Sequence, residues 1–337
     1  MNVPIQKHRV CGVILIDKPQ GMTSQQVVSK VKYLFKSPQH DSKKAGHTGT
    51  LDPMATGLLP ICLGEATKFS HYQLDANKSY EAILQLGQQT DTGDAEGQVI
   101  YHCAVPVLTS EALQQVAQQF LGASEQVPPM YSALKKDGKK LYEYAREGIE
   151  IERPSRAIFL HQLALTQLSP DSIKITVTCS KGTYVRVLGE DIAKALGSVG
   201  HLIGLRRIAV GDFDIANAMT LTELEELSLT QRLTSLLPVD ACIENVPSIT
   251  LPTEACERLY LGQRLNVLEH MDEEVKSYLM QKASQSTQHI SQQTEQQKQK
   301  IHSDAYDIRI LNHKGIFVGL GALSSNGRLQ PKKMVQY

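Results

Sequence analysis

The chain reads GHTGTLDPMATGLLPICLGEATK from Gly46 to Lys68. Glycine and proline occur so often in this stretch that we expect a loop rather than the interior of a helix or strand. Asp52 lies in its middle, and Pro53 favours an extended backbone at the residue before it, which turns the Asp52 carboxylate outward. In an isolated Asp-Pro pair the aspartate commonly forms a turn by accepting a backbone N–H. Here the apolar run from Leu58 to Leu63 follows and predicts a buried element that holds the loop rigid, as in loops that carry catalytic groups.

Length and composition bound the class of protein. With 337 residues the chain exceeds what one compact core holds, so we expect two domains. An apolar content of 41% is ordinary for a globular protein, and no apolar run is long enough to cross a bilayer. No signal-peptide pattern follows the basic residues at positions 7 and 9. We therefore expect a cytoplasmic protein without a membrane contact.

Cysteine and histidine spacing gives no indication of a metal site. The six cysteines are scattered singly, which predicts reduced core residues rather than zinc ligands or disulfides. The 11 histidines also lack the spacing of metal ligands. The sequence contains neither a phosphate-cradling glycine loop nor a nicotinamide-binding fingerprint. We therefore expect neither a metal nor a cofactor.

The charge distribution gives two opposing indications about a nucleic-acid partner. The formal net charge is zero, which by itself argues against one. Between Lys135 and Arg156, however, seven basic residues outnumber five acidic ones, and tyrosines are interleaved with them. Cations suit an RNA backbone and flat rings suit its bases, although a helical hairpin with one solvated face has the same pattern. The candidate RNA contacts are Lys135, Lys136, Lys139, Lys140, Arg206 and Arg207, of which the last two would also suit a solvated strand edge.

Hydrophobic periodicity predicts both helices and strands. Apolar residues recur at helical spacing after three predicted N-cap positions, which are Thr23 or Ser24, Thr109, and Thr220. The third helix is expected to continue to about Leu236. Clean alternation over Ser172 to Ser180 predicts a strand with one face on the core and one face in water.

Two polar segments interrupt this pattern. The acidic run from Thr90 to Gly97 does not match a calcium-binding loop, so we expect a solvated loop there. Residues 281–300 hold eight glutamines and predict a polar insert, at about 276–303, that is disordered or weakly helical. The composition changes to short elements at Val246. We place the domain boundary there, with domains at residues 1–245 and 246–337.

The stretch around Asp52 closely resembles the signature motif of the bacterial TruB family of pseudouridine synthases, which modify a uridine in the T-loop of tRNA. The likeness covers about twenty contiguous positions. Looser likenesses occur at Lys18 to Ser24 and at Gly200 to Val210. The resemblance implies an α+β catalytic domain with a mostly antiparallel mixed sheet flanked by helices. It also implies an RNA-gripping insertion at about 126–156 and a small C-terminal β-rich, RNA-binding, PUA-like domain.

The resemblance also implies roles for single residues. Asp52 would be the catalytic residue, with Arg186 as its ion-pair partner. Arg186 stands at a predicted helix start, where its charge opposes the helix dipole, so a nearby anion explains it better than helix stability does. The implied substrate-binding residues are His47, Tyr80, Tyr184 and Leu205. From residue type alone, Tyr80 and Leu205 would be assigned to packing and His47 to solvent.

The implied reaction breaks the N-glycosidic bond of a uridine, number 55 by resemblance, turns the uracil and rejoins it through carbon. The isomerisation needs no redox change or energy input, which suits a chain without cofactor motifs. Asp52 would attack ribose C1′, remove the 2′ proton or add to uracil C6, and the sequence leaves these routes open. An arginine partner favours the ionised aspartate that each route needs. The target base must also be flipped out of its stack.

Two other functions share these sequence features. A tRNA-binding chaperone would use the same surface without chemistry, and a guide-RNA-dependent enzyme acting on ribosomal RNA would share the motif. We expect a stand-alone monomer that acts on the T-arm of tRNA and requires no protein partner.

Overall fold

The computed structural model describes residues 7–290 and 305–337. The strands of its N-terminal part are β1 (His8–Arg9), β2 (Gly12–Lys18), β3 (His40–Asp41), β4 (Ala45–His47), β5 (Thr56–Leu63), β6 (Lys78–Leu86), β7 (Gln88–Thr90), β8 (Val99–His102), β9 (Gly122–Gln126), β10 (Lys135–Lys136), β11 (Lys139–Lys140), β12 (Arg156–Ser169), β13 (Ser172–Cys179), β14 (Gly200–Val210), β15 (Phe213–Asp214) and β16 (Met219–Thr220). The strands that follow are β17 (Ser248–Leu251), β18 (Leu265–Asn266), β19 (Ala305–Asn312), β20 (Phe317–Ser324) and β21 (Arg328–Met334).

The α-helices are α1 (Ser24–Leu34), α2 (Ser70–Leu74), α3 (Ser110–Phe120), α4 (Leu141–Arg146), α5 (Val185–Ala195), α6 (Leu221–Glu226), α7 (Leu229–Thr234), α8 (Thr253–Tyr260) and α9 (Glu273–Ile290). Short 3-10 turns occupy Gly64–Lys68, Ile215–Asn217, Ala241–Ile243 and Leu268–His270. None of the described helices combines the length and apolar character that a membrane crossing requires.

Two sheets organise the chain. A ten-stranded sheet runs in the order β16-β2-β5-β14-β6-β13-β12-β9, with β15 paired to β14 and β4 paired to β5. Its pairs are antiparallel except for β14 with β5 and β16 with β2. A five-stranded sheet, in the order β17-β19-β20-β21-β18, follows in the C-terminal part. This architecture confirms the predicted α+β class, with a mostly antiparallel mixed sheet and a small β-rich unit after it.

The strand β2 is buried on both faces, which explains its unbroken apolar sequence. Ile14 and Ile16 pack against α1, whereas Val13 and Leu15 point the other way. On that opposite face they share a core with Phe317 of the C-terminal sheet. The two sheets therefore meet through a common apolar core, and neither exposes its apolar face there.

The stretch from Gly46 to Lys68 is a loop only at residues 48–55, so the expectation of one long loop was wrong. Its second half forms β5, with Pro60 opposite Leu15 of β2. The dense apolar run from Leu58 to Leu63 is fully buried, and this burial outweighs the low strand propensity of glycine and proline. The buried element expected behind the loop is therefore the continuation of the same stretch.

Three further elements bear on the expectations. The basic segment contains the β-hairpin of β10 and β11 and the short helix α4, which excludes the alternative of a helical hairpin. The helix expected to reach Leu236 is divided into α6 and α7, because Ser228 starts a second helix with its own capping box. The glutamine-rich segment is helical as far as Ile290 in α9, and residues 291–304 of it lie outside the described residues.

Gly57 lies where β5 passes close to β14. Its φ of +103° is in the left-handed region, and an added Cβ would lie 2.2 Å from the carbonyl oxygen of Arg207. Both facts exclude a side chain at this position. The glycine that appeared to argue against a strand thus permits the parallel contact of β5 with β14.

We expect Gly57→Ala to lower the free energy of unfolding by about 3 kcal/mol or more, because backbone strain and a steric overlap with Arg207 add together. Gly138→Ala is the matched control, since Gly138 has a φ of +82° but no heavy atom within 4 Å of an added Cβ. The control should cost about 1 kcal/mol from the left-handed backbone alone. Equal losses for both variants in urea unfolding would contradict the close approach.

Candidate active site

Asp52 lies in the loop at residues 48–55, between β4 and β5. Two side chains from the start of the chain hold this loop. The hydroxyl of Ser24 accepts the Leu51 N–H at 2.8 Å and donates to the Leu51 carbonyl at 2.9 Å. The ammonium of Lys18 donates to the Pro53 carbonyl at 3.3 Å. The residues on both sides of Asp52 are therefore anchored, and its carboxylate has a defined position.

Arg207 of β14 binds the same loop from the interior of the protein. It is buried, so its prediction as an RNA contact was wrong. Its side chain is 1% exposed and donates to the carbonyls of Leu58 at 2.8 Å and Gly49 at 3.1 Å. A buried guanidinium needs such acceptors, and the backbones of the loop and of β5 supply them. Sequence alone could not separate this buried arginine from its neighbour Arg206.

Arg186 makes an ion pair with Asp52. Its Nη2 lies 3.0 Å from Oδ2 of Asp52, and the side chains are 5% and 40% exposed, respectively. Arg186 is the second residue of α5, so the predicted anion is present at that helix start. The arrangement presents a partly exposed carboxylate beside a buried guanidinium.

A second carboxylate, Asp94, lies on the other side of the guanidinium. Its Oδ2 is 3.4 Å from Nη1 of Arg186, which also donates to the Thr92 carbonyl at 2.9 Å. Asp94 is only 4% exposed, so the expectation that residues 90–97 form a solvated loop was wrong at this position. One feature of the sequence bears on Asp94. Arg186 lies at a helix start, where its charge is unfavourable, and this indicated a nearby anion but did not identify Asp94 as one.

Tyr80 and Leu205 form an apolar wall next to the loop. Tyr80 lies on β6 and Leu205 on β14, and both pack against Leu51, Met54 and Ala55, which surround Asp52 in sequence. Burial raises the pKa of the Tyr80 phenol, so the ring stays neutral. The structure thus brings both predicted substrate-binding residues to the Asp52 loop.

His47 is the last residue of β4, and Tyr184 precedes α5. Nδ1 of His47 accepts the Gly49 N–H at 3.2 Å, and burial, assisted by Arg207, lowers the pKa of His47. A neutral imidazole is the form that accepts this bond. Tyr184 is half-buried as the N-cap residue of α5, and burial raises the pKa of its phenol.

The predicted RNA-contacting residues differ in availability. Lys135 and Lys136 are exposed on β10. Lys139 pairs with Glu147 at 2.5 Å and lies 4.5 Å from the ring centre of Tyr144. The remaining two are Lys140, with its ammonium 5.2 Å from the Tyr142 ring centre, and Arg206, which donates to both oxygens of Asp17 at 3.0 and 2.6 Å. Local partners thus occupy Lys139 and Arg206.

The described residues contain no group of three or more His, Cys, Asp or Glu side chains that could hold a metal ion. The six cysteines are free thiols, as predicted, and four of them are buried. Cys62 and Cys242 approach to 3.6 Å between their sulfur atoms in the core shared by the two sheets. These thiols lie in a packed apolar region away from solvent.

The architecture is shared with chains of solved complexes. The chain in "Crystal Structure of a Cbf5-Nop10-Gar1 Complex" has a TM-score of 0.65 at 22% identity, covering 96% of this chain and 84% of that one. The chain in "Structure of H/ACA RNP bound to a substrate RNA containing 2'-deoxyuridine" has a TM-score of 0.64 at 20% identity, covering 97% and 85%. Fold and site together place this molecule in a class of proteins with this architecture, with the Asp52 carboxylate held beside a buried arginine.

Sequence comparison narrows this class to one family. Residues 37–185 match "TruB family pseudouridylate synthase (N terminal domain)", and residues 186–246 match "tRNA pseudouridylate synthase B C-terminal domain". The protein named tRNA pseudouridine synthase B of Psychrobacter cryohalolentis is 60% identical, with 98% of this chain and 95% of the relative covered. The protein of the same name from Methylobacillus flagellatus is 42% identical, with 98% and 97% covered. The chain belongs to the TruB family of pseudouridylate synthases.

The buried ammonium of Lys18 makes stability depend on pH. Burial lowers the pKa of Lys18 from 10.5 to about 8, although the nearby Asp52 carboxylate opposes this shift. Between pH 8 and 10.5 the unfolded chain holds this proton more often than the folded one, so Lys18 makes folding more favourable as the pH rises. The free-energy difference between wild type and Lys18→Met should therefore increase by about 3 kcal/mol over this range.

Urea unfolding at a series of pH values measures this difference. Lys314→Met, at the exposed turn between β19 and β20, is the matched control and should show no such pH-dependent difference. A difference for Lys18→Met that stays constant with pH would contradict the effect of burial on Lys18.

Proposed function

We propose that this protein converts the T-loop uridine of tRNA, number 55, to pseudouridine with Asp52 as the catalytic residue. The observation that carries the proposal is the Asp52 carboxylate, partly exposed and 3.0 Å from the buried Arg186, beside the wall of Tyr80 and Leu205. The names of the relatives, at 42% to 60% identity over nearly the whole chain, support tRNA as the substrate. The chain acts without a guide RNA in this proposal.

The reaction rearranges one bond to the ribose. The bond from uracil N1 to ribose C1′ breaks, a bond from uracil C5 to C1′ forms, the C5 proton leaves and N1 takes up a proton. Asp52 serves as nucleophile or base, and Arg186 orients its carboxylate through the contact at 3.0 Å. The flipped uracil lies against Tyr80 and Leu205, with Tyr184 at the border of the pocket and His47 next to the space that the base leaves.

The two-sheet architecture suits a long RNA substrate. The site residues lie on the large sheet or adjoin it, whereas the five-stranded sheet is built from residues 248–334. Because the two sheets are built from different parts of the sequence, they support a catalytic domain at 1–245 and a PUA-like RNA-binding domain at 246–337. The insertion after β9 adds the exposed Lys135 and Lys136 as contacts to the phosphate backbone. We further propose that the protein acts as a monomer in the cytoplasm.

A tRNA-binding chaperone is the main competing function. Binding alone needs cations and stacking surfaces, but it does not need a carboxylate that faces the pocket beside a buried arginine. A carboxylate in that place adds nothing to the binding of an RNA backbone, so its presence favours chemistry over simple binding.

We expect Asp52→Asn to make no pseudouridine in unmodified tRNA, because the amide is neither nucleophile nor base. Its dissociation constant for tRNA should stay near that of wild type, since the shape of the site is retained. Mapping of pseudouridine in the transcript and a filter-binding titration measure the two quantities.

Asp171→Asn is the matched control, because Asp171 lies at the exposed turn between β12 and β13. This variant should retain full activity. Pseudouridine formation by Asp52→Asn at the wild-type rate would refute the catalytic assignment. Wild-type protein that binds tRNA without modifying it would favour the chaperone.

Two sets of substitutions in the insertion should change tRNA affinity in opposite directions. Lys135→Ala combined with Lys139→Ala should weaken tRNA binding and lower the salt dependence, by about one unit of slope for each phosphate that is no longer neutralised. Glu147→Gln should strengthen binding, because it releases Lys139 from the pair at 2.5 Å. Salt titrations of the binding constant measure both. An unchanged slope in the double variant would remove the insertion from the RNA contacts.

A further inference from the structure

We propose that Gln126 is a positioning residue that connects the insertion to the catalytic pair of Asp52 and Arg186. The inference rests on the proposed function. It adds that RNA binding by the insertion affects the position of Arg186. Neither hydrophobic periodicity nor charge singles out Gln126 in the sequence. Its importance follows from two hydrogen bonds that cross from β9 to the start of α5.

The side chain of Gln126 clamps the backbone of Tyr184. The Tyr184 N–H donates to Oε1 of Gln126 at 2.8 Å, and Nε2 of Gln126 donates to the Tyr184 carbonyl at 3.2 Å. Gln126 is 5% exposed, so both bonds form away from solvent. Loss of the Gln126 amide leaves the Tyr184 N–H without this partner, whereas the Tyr184 carbonyl still accepts the Leu188 N–H at 3.0 Å.

The clamp acts on the residue at which α5 begins. Tyr184 is the N-cap residue of α5, and its side chain makes no capping bond to the helix. Gln126 does not supply that cap, because it bonds to Tyr184 itself and not to the free N–H groups of the first turn. It fixes the backbone position from which the helix starts. Arg186, two residues after Tyr184, lies in the first turn, so its position follows that of Tyr184.

Gln126 also marks the base of the insertion. It is the last residue of β9 and pairs with Arg156, the first residue of β12, so residues 127–155 leave and re-enter the sheet at this pair. A displacement of the insertion at its base therefore moves Gln126, and the two hydrogen bonds of Gln126 transmit this movement to the backbone of Tyr184.

A second connection runs from inside the insertion to the same arginine. Nη2 of Arg186 donates to the Tyr131 carbonyl at 2.7 Å, and this nitrogen also pairs with Asp52 at 3.0 Å. One nitrogen thus bridges the insertion and the catalytic carboxylate. Gln126 holds the backbone two residues before the arginine, and the Tyr131 carbonyl binds the end of the arginine side chain. Residues of the insertion and its base therefore act on Arg186 at both ends.

The geometry divides the roles of the residues involved. Gln126 is buried and acts through Tyr184 and Arg186, so it should influence the chemical step and not RNA affinity. A displacement of about 1 Å at catalytic groups costs up to about a hundredfold in rate. Loss of the clamp should accordingly slow the reaction of bound tRNA without weakening the binding of tRNA.

The test variant is Gln126→Met, which keeps the length of the side chain and removes both hydrogen bonds. With enzyme in excess over unmodified tRNA, we expect the single-turnover rate to fall by about ten- to a hundredfold. The dissociation constant for tRNA should remain near the wild-type value. Gln73→Met is the matched control, since Gln73 is 7% exposed and donates to the Cys242 carbonyl at 3.0 Å. This control should lose comparable thermal stability and keep its rate.

A double-mutant cycle distinguishes positioning from general loosening of the structure. If Gln126 acts through Arg186, Gln126→Met should slow wild type but have no further effect on the rate of Arg186→Lys. A role limited to folding would make the two losses add. If Gln126→Met does not fold, Gln126→Glu takes its place, because it keeps the acceptor for the Tyr184 N–H and lacks the donor.

The outcomes separate this inference from the proposed function. A folded Gln126 variant with the wild-type single-turnover rate overturns the coupling and leaves the enzyme assignment intact. Additive losses in the cycle, or a weaker tRNA affinity with an unchanged rate, also overturn it. A wild-type protein that makes no pseudouridine in tRNA overturns the proposed function itself.

Discussion

The buried guanidinium of Arg186 is the group on which the arrangement of the site depends. A cation at 5% exposure is tolerated only where acceptors surround it. Its acceptors come from three separate segments: the loop of Asp52, the turn of Thr92 and Asp94, and the insertion through Tyr131. Each segment satisfies part of the same charge. The three therefore assemble together around α5, and a displacement of one alters what the others contact.

The two carboxylates around this arginine have different environments. Asp94 is buried and accepts the Glu96 N–H at 3.1 Å and the Thr92 hydroxyl at 2.7 Å, so its carboxylate has a fixed position. Asp52 is partly exposed, in the loop against which Tyr80 and Leu205 pack. The planar guanidinium offers one nitrogen to each, which a lysine cannot do with one ammonium. The fold thus uses one carboxylate to orient the arginine and leaves the other available to a substrate.

Two more buried cations stabilise the Asp52 loop through its carbonyl groups. Arg207 binds the carbonyls of Gly49 and Leu58, and Lys18 binds that of Pro53. A short loop rich in glycine and proline cannot satisfy its own backbone groups by regular pairing. Long cationic side chains from β2 and β14 supply the missing donors. The rigidity of the loop therefore originates in neighbouring strands and not in the loop sequence.

Much of the framework follows from local patterns. The alternation in β13, the capped start of α1 and the apolar run of β5 depend on neighbours within a few residues, so their periodicity is visible in the chain. Even so, the glycine and proline content predicts a loop where β5 begins, because the close contact that requires Gly57 comes from Arg207, far along the sequence. Local propensity could not reveal it.

The sequence by itself determined the fold class, the exposed place of Asp52 and the need for an anion at Arg186, since motif, turn chemistry and helix position are properties of short segments. Only the tertiary structure decided that Arg207 supports the loop instead of touching RNA, that Asp94 shares the arginine, and that Gln126 clamps Tyr184. The reason is physical. The burial of a polar side chain and the identity of its partner depend on segments that are distant in sequence and fold beside it. A local sequence pattern does not contain this information.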